Sequence, residues 1–293
     1  MTGFTPWGWM QTIGRVARQV WIVSGRTHMG LIAAGVAFYG MFALFPGMAA
    51  LIAIFGLISD PGVVRTELQL LDELIPQPAY ELITAQLERL LSTDGFTLTW
   101  TTVISLMVAL WSARAGVSGV VQGLNAIYDL PQRSGFWHEV VSVAMTLILM
   151  CIAITALLVV VVAPILTALF PPYPAVAWLL EVLRWASALF ILIFGLWMIY
   201  TWGPNRRARG KVWLTPGAVV VVLLWCGASA VLSSYFANFA SYNEVYGSIG
   251  AVIALLMWLW VSAYLVLAGA AVNVVIERIS RARDARDRPR NLL

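Results

Sequence analysis

Charge is scarce in this chain: of 293 residues only 11% are Asp, Glu, Lys or Arg, where a soluble domain carries about a quarter. Histidine and cysteine are scarcer, with only His28, His138, Cys151 and Cys226. Each cysteine stands alone inside an apolar run, which excludes a disulfide framework and a C-x-x-C zinc site, and both read as small core residues. No H-E-x-x-H, G-x-S-x-G, phosphate-loop or dinucleotide fingerprint is present. No span gathers carboxylates that could hold two metal ions. These absences predict a non-enzyme with no catalytic residues, no metal and no cofactor. There is also no short apolar core followed by a small-residue cleavage site, so the amino terminus is expected to be retained.

What fills the chain is hydrocarbon: 61% of residues are hydrophobic and the mean hydropathy is +0.85. The apolar residues come in runs long enough for helices that cross roughly 30 Å of bilayer. Six spans are predicted, at about 30–58, 97–126, 140–169, 178–202, 215–237 and 247–276. The fold class is therefore all-α: a polytopic membrane protein of six transmembrane helices. Its parts are an N-terminal segment (1–29), a transmembrane domain (30–276) and a basic tail (277–293). In the N-terminal segment Trp9, Ile13, Val16, Val20 and Val23 recur at helical spacing around Arg15 and Arg18, the pattern of a short interfacial helix.

Positive charge in short connections sets orientation. Fourteen of the 18 basic residues fall on one side: Arg15, Arg18, Arg26, Arg133, Arg206, Arg207, Arg209, Lys211 and the six arginines from Arg278 to Arg290. That places both termini in the cytoplasm. The sequence pI near 9.3 then reads as topology plus affinity for membrane lipids, anionic ones included, and not as nucleic-acid binding. The outer connection 59–96 holds seven acids against Arg65 and Arg89. Two apolar stripes in it, Val64-Leu68-Leu71-Ile75 and Tyr80-Ile83-Leu87-Leu90, flank Pro76-Gln77-Pro78 and predict two small amphipathic helices, a cap or a docking site for an envelope protein. Nothing in the sequence specifies an oligomeric state.

Polar groups inside spans are expensive, so they mark candidate substrate-binding residues. Arg114, Ser118, Gln122 and Asn125 share one face of the second span, within roughly 80° of one another, and Gly116, Gly119 and Gly123 lie nearly opposite, where another helix can approach. Asn273 and Glu277 share a face of the last span at the same end as Arg114, close enough along the membrane normal to meet it. Pro46, at the centre of the first span, is expected to kink or break that helix.

Ala33-Ala34 through Ala37-Phe38-Tyr39 to Phe45-Pro46, Trp111-Ser112-Ala113-Arg114 through Leu124-Asn125 and Ile127-Tyr128, Tyr200 with Pro204 and Pro216-Gly217-Ala218, and Tyr246-Gly247-Ser248-Ile249-Gly250 through Trp258, Gly269 and Asn273 resemble the YihY/BrkB family of bacterial inner-membrane proteins, long labelled ribonuclease BN. The resemblance implies six spans with both ends inside. It also implies links to virulence and serum resistance and a suggested, unsettled transport role for lipids or envelope precursors. The ribonuclease label finds no support in this residue inventory, since a nuclease needs clustered acids, histidines or metal ligands. One departure is Gly269-Ala270-Ala271, where relatives are expected to carry a glutamate; Glu277 is the nearest substitute. The expectation is a transport-type protein for an amphipathic or anionic substrate, with a non-transporting scaffold as the alternative. A cavity lined by Arg114, Gln122 and Asn125 would favour transport, and a paired Arg114 in a closed bundle would favour the scaffold.

Overall fold

The structure, a computed structural model, describes residues 6–58, 80–81, 84–85, 100–133, 135–169, 174–206, 215–238 and 248–287. It is all-helical over these residues, with seven helices among the main elements: α1 (Pro6–Arg26), α2 (Met29–Ile58), α3 (Trp100–Ile127), α4 (Gly135–Leu169), α5 (Pro174–Trp202), α6 (Pro216–Asn238) and α7 (Ser248–Asp287). Six of them, α2 to α7, are long and apolar enough to cross a membrane. This is a multi-pass membrane protein. The amphipathic helices expected at 59–96 lie outside the described residues, apart from one turn in which Thr84 donates to the Tyr80 carbonyl.

Local chemistry sets the helix ends. α1 passes into α2 through His28, whose φ of 51° is the left-handed conformation that ends helices; its carbonyl then accepts from Leu31 and Ile32 to start α2. α3 closes in a Schellman arrangement at Asp129 (φ 52°), with Leu130 N–H on the Asn125 carbonyl and Asp129 N–H on that of Ala126. α6 opens with Pro216 at its first position, where no N–H is needed.

Two boundaries depart from the hydropathy reading. α4 begins at Gly135, ahead of the expected 140, because polar His138 and Glu139 find partners on α3. α7 continues through the basic tail to Asp287, supported by a Glu277–Arg281 pair one turn apart. α2 runs through Pro46 as one continuous helix. Both cysteines are free and exposed, a correction to their reading as core residues: in this bundle an apolar position faces lipid as readily as protein.

The most extensive helix contact is α3 against α2. An added Cβ on Gly119 would meet Val36 at 3.1 Å, and one on Gly123 would meet Leu267 at 2.8 Å and Ile32 at 3.2 Å, so the glycine face serves close helix approach, as expected. α1 packs on α7: Val16, Val20 and Val23 join the core around Leu124, Ile127, Tyr200, Ala218 and Leu267, and the Ser24 and Tyr264 hydroxyls are 2.9 Å apart. That core gathers where α3, α5 and α7 end and α6 begins, next to Arg133, Arg206 and Arg278. We call it the basic end. Toward the opposite end large side chains turn outward, with Trp100 83% and Trp178 69% exposed, as helices solvated by lipid do.

Candidate functional site

After Asp129 the chain folds back along α3. Gln132 donates to the Gln122 carbonyl at 3.4 Å, so α4 starts beside the middle of α3 instead of below its end. This return places two polar side chains of α4 against the stripe on α3. The Ser118 hydroxyl lies 2.7 Å from His138 Nε2, and Gln122 donates to the same hydroxyl at 3.1 Å. Arg114 forms an ion pair with Glu139. The stripe therefore faces α4 and the returning strand of chain, and it does not line a common cavity.

Asn125, completely buried, holds the next layer. Its amide donates to Gln132 Oε1 at 3.1 Å, and its oxygen accepts from the backbone N–H of Asn205 at 2.7 Å. Arg133 donates to the carbonyls of Trp202, Gly203 and Pro204, groups that the end of α5 leaves without helical partners. On the other side of α5, the buried Tyr200 hydroxyl donates to the Val266 carbonyl of α7 at 2.8 Å.

Asn273 does for α6 what Asn125 does for the end of α5. Its oxygen accepts from Gly217 N–H at 2.7 Å and its amide donates to Thr215 Oγ1 at 3.1 Å. Thr215 in turn accepts from Ala218 N–H. Two of the first orphan donors of α6 are thus capped. The clamp requires glycine: a Cβ on Gly217 would sit 2.0 Å from the Gly269 carbonyl oxygen, and one on Gly269 would sit 2.4 Å from the Tyr200 oxygen.

The rim is ionic. Arg206 bonds Glu277 at 2.5 Å and lies 4.0 Å over the Tyr128 ring, while Arg278 pairs with Asp129 at 2.6 Å. Burial raises the Tyr128 hydroxyl pKa, Arg206 opposes the rise and Glu277 adds to it. Asn273 and Glu277 do not meet Arg114, as their shared depth suggested; they are engaged with α6 and with Arg206.

One member of the stripe remains open. Arg114 lines a crevice of about 210 Å³ between α3 and α4, with Met107, Leu110, Trp111, Val143 and Thr146 as the other walls. The Arg114 side chain is 25% exposed and that of Glu139 51%. Both expected criteria are met in part: Arg114 is paired, and it borders an opening between spans, though without Gln122 and Asn125. Pro46 belongs to neither cluster. The sequence reading missed Glu139 and His138, which sit in what looked like a basic loop, and Gln132, Arg133 and Asn205, whose roles depend on the fold-back. Gly217 was visible only as part of a motif. Among the described residues no three of His, Cys, Asp and Glu converge as metal ligands would.

Comparison with known proteins gives two matches. The profile of the family described as Virulence factor BrkB matches residues 20–292. The chain is also similar to the ribonuclease-like protein YfkH of Bacillus subtilis (strain 168), 25% identical over 257 residues that cover 86% of this chain and 91% of YfkH. No solved structure matches.

Proposed function

The chain belongs to the BrkB family, and from that premise we propose that it is a transport-type protein of the bacterial inner membrane, with the basic end cytoplasmic, that handles an amphipathic anionic substrate at Arg114. The substrate class is a lipid or envelope precursor whose anionic group takes the place of Glu139. The observation that carries this reading is the position of the Arg114–Glu139 pair. Ionised side chains inside spans are costly and normally face the bundle interior; Arg114 instead borders an apolar crevice open between two helices. Every other member of the stripe is absorbed in holding α4 and the returning chain. An arginine whose counter-ion is half-exposed can exchange that carboxylate for a phosphate or carboxylate of similar geometry. The apolar walls contributed by Met107, Leu110 and Val143 suit the hydrocarbon next to such a group.

A ribonuclease function, which the name of YfkH would suggest, would need acids, histidines or metal ligands brought together, and it is not part of this reading. The test is lipid retention on native mass spectrometry of gently purified protein. Arg114→Ala is expected to retain one anionic lipid fewer than wild type. Glu139→Gln, which removes the internal competitor, is expected to retain more of that lipid than wild type. Equal lipid profiles in all three would move Arg114 to a purely structural role and leave the scaffold alternative standing.

A further inference from the structure

A second opening lies on the other side of the bundle. A groove of about 690 Å³ runs between α1, α6 and α7, walled by Ala17 and Val20, Val220 and Leu224, and Ala268 and Val272, with no residue of α3 or α4 in it. Its size is that of a small-molecule site, but its chemistry is that of hydrocarbon. Among its lining side chains only Trp21, Tyr264 and Ser280 carry a polar atom, and the Tyr264 hydroxyl is already partnered with Ser24. The start of α6 reaches the groove at Pro216, yet it offers no free donor for a headgroup at Gly217 or Ala218, which Asn273 and Thr215 satisfy.

The charge of the chain says which amphiphile fits. Residues 1–28, which lead through α1, hold Arg15, Arg18 and Arg26 and no acid. Residues 277–287, the end of α7, hold four arginines against Glu277, Asp284 and Asp287. Both walls are therefore net positive, +3 along α1 and +1 along the end of α7, and basic segments of this kind attract anionic headgroups. We infer that the groove is the site of a resident anionic glycerophospholipid from the leaflet at the basic end. One acyl chain lies between α1 and α6, and the phosphate sits at the arginine-rich end.

The bound lipid has a structural consequence. α1 meets protein through α7 and the start of α2; on the side facing α6 it borders the groove. The acyl chain supplies the missing contact there and wedges α1 against the bundle. This site is separate from Arg114, and the inference does not depend on the substrate assigned to that residue.

The test compares wild-type protein in nanodiscs of phosphatidylglycerol and of phosphatidylcholine by hydrogen exchange of residues 13–24, with lipid retention read by native mass spectrometry. The groove-filling variants Ala17→Trp and Val220→Trp, one from each wall, accompany it, with Arg114→Ala as a control. In phosphatidylglycerol α1 is expected to exchange about tenfold more slowly than in phosphatidylcholine, the protection that a ligand near ten times its dissociation constant confers. Arg114→Ala should keep the groove phosphatidylglycerol and the protection of α1 whether or not it loses a second lipid at position 114, and either tryptophan should abolish both. Equal exchange of wild-type α1 in the two lipids would overturn the site without reference to any variant. So would folded tryptophan variants that still retain the lipid, or a lipid-free dimer whose α1 is protected, since a second copy would then cover the groove.

Discussion

Two polar clusters on the basic half of the bundle look alike in sequence and behave as opposites in structure. Around Asn125 and Asn273 each side-chain amide is spent on a backbone N–H and a neighbouring side-chain oxygen, and the glycine contact at Gly217 leaves no room for a Cβ. Arg114, which borders an open crevice, has a half-exposed carboxylate as its partner among the described residues. In a bilayer, apolar burial does not favour helix–helix contact over lipid, so close packing and hydrogen bonds hold helices together. The first cluster is that kind of glue. The second is not needed for it, and the proposal that an anion binds at Arg114 rests on that difference.

The contrast can be broken most severely at the glycines. Gly217→Ala drives a methyl into the Gly269 carbonyl and Asn273; overpacking of this kind costs about 3 kcal/mol or more. We expect little folded protein on size exclusion and a melting midpoint well below wild type, with Gly269→Ala close behind because its Cβ meets Val221 at 2.3 Å. Next comes Asn125→Ala, which strands the Asn205 N–H and the Gln132 side chain, a loss of about 1–3 kcal/mol readable as a fall in thermal midpoint in a fixed detergent. Asn273→Ala should match it by freeing Gly217 N–H. Glu277→Gln, at the partly exposed rim, should cost about 1 kcal/mol or less and less still at high salt. Tyr128→Phe keeps the ring under Arg206 and should leave the midpoint unchanged at neutral pH. Arg114→Ala and Glu139→Gln belong at this small end for stability; a midpoint shift as large as that of Asn125→Ala would erase the distinction between the clusters.

Much of the architecture was legible from hydropathy alone. The expected span at 178–202 meets α5 at Trp202, and that at 215–237 falls within a residue of α6 at either end, because a run of apolar residues without charge has one cheap solution in a bilayer. The glycines of α3 were legible for a related reason, since small residues on one face announce a close neighbour. Partners were not. His138 and Glu139 belong to α4 only because the chain reverses at Asp129 and climbs back to Gln122, a path fixed by one left-handed residue and by the side-chain hydrogen bonds of Gln132 and Arg133. Polarity along a helix told where costly groups lie; it could not tell Asn125, which is sealed, from Arg114, which is open. Asn273 and Glu277 were placed at the right end and given the wrong partner, because depth in the membrane fixes one coordinate and leaves rotation around the bundle free.

The most direct measurement is the charge swap, Arg114→Glu with Glu139→Arg, compared with wild type for thermal stability and for retained anionic lipid in one preparation. If the pair exists to receive an anion at position 114, the swap preserves the ion pair and the melting midpoint while one anionic lipid fewer than in wild type is retained. If the swapped protein keeps both its stability and that lipid, Arg114 holds no substrate and the account of this site is wrong.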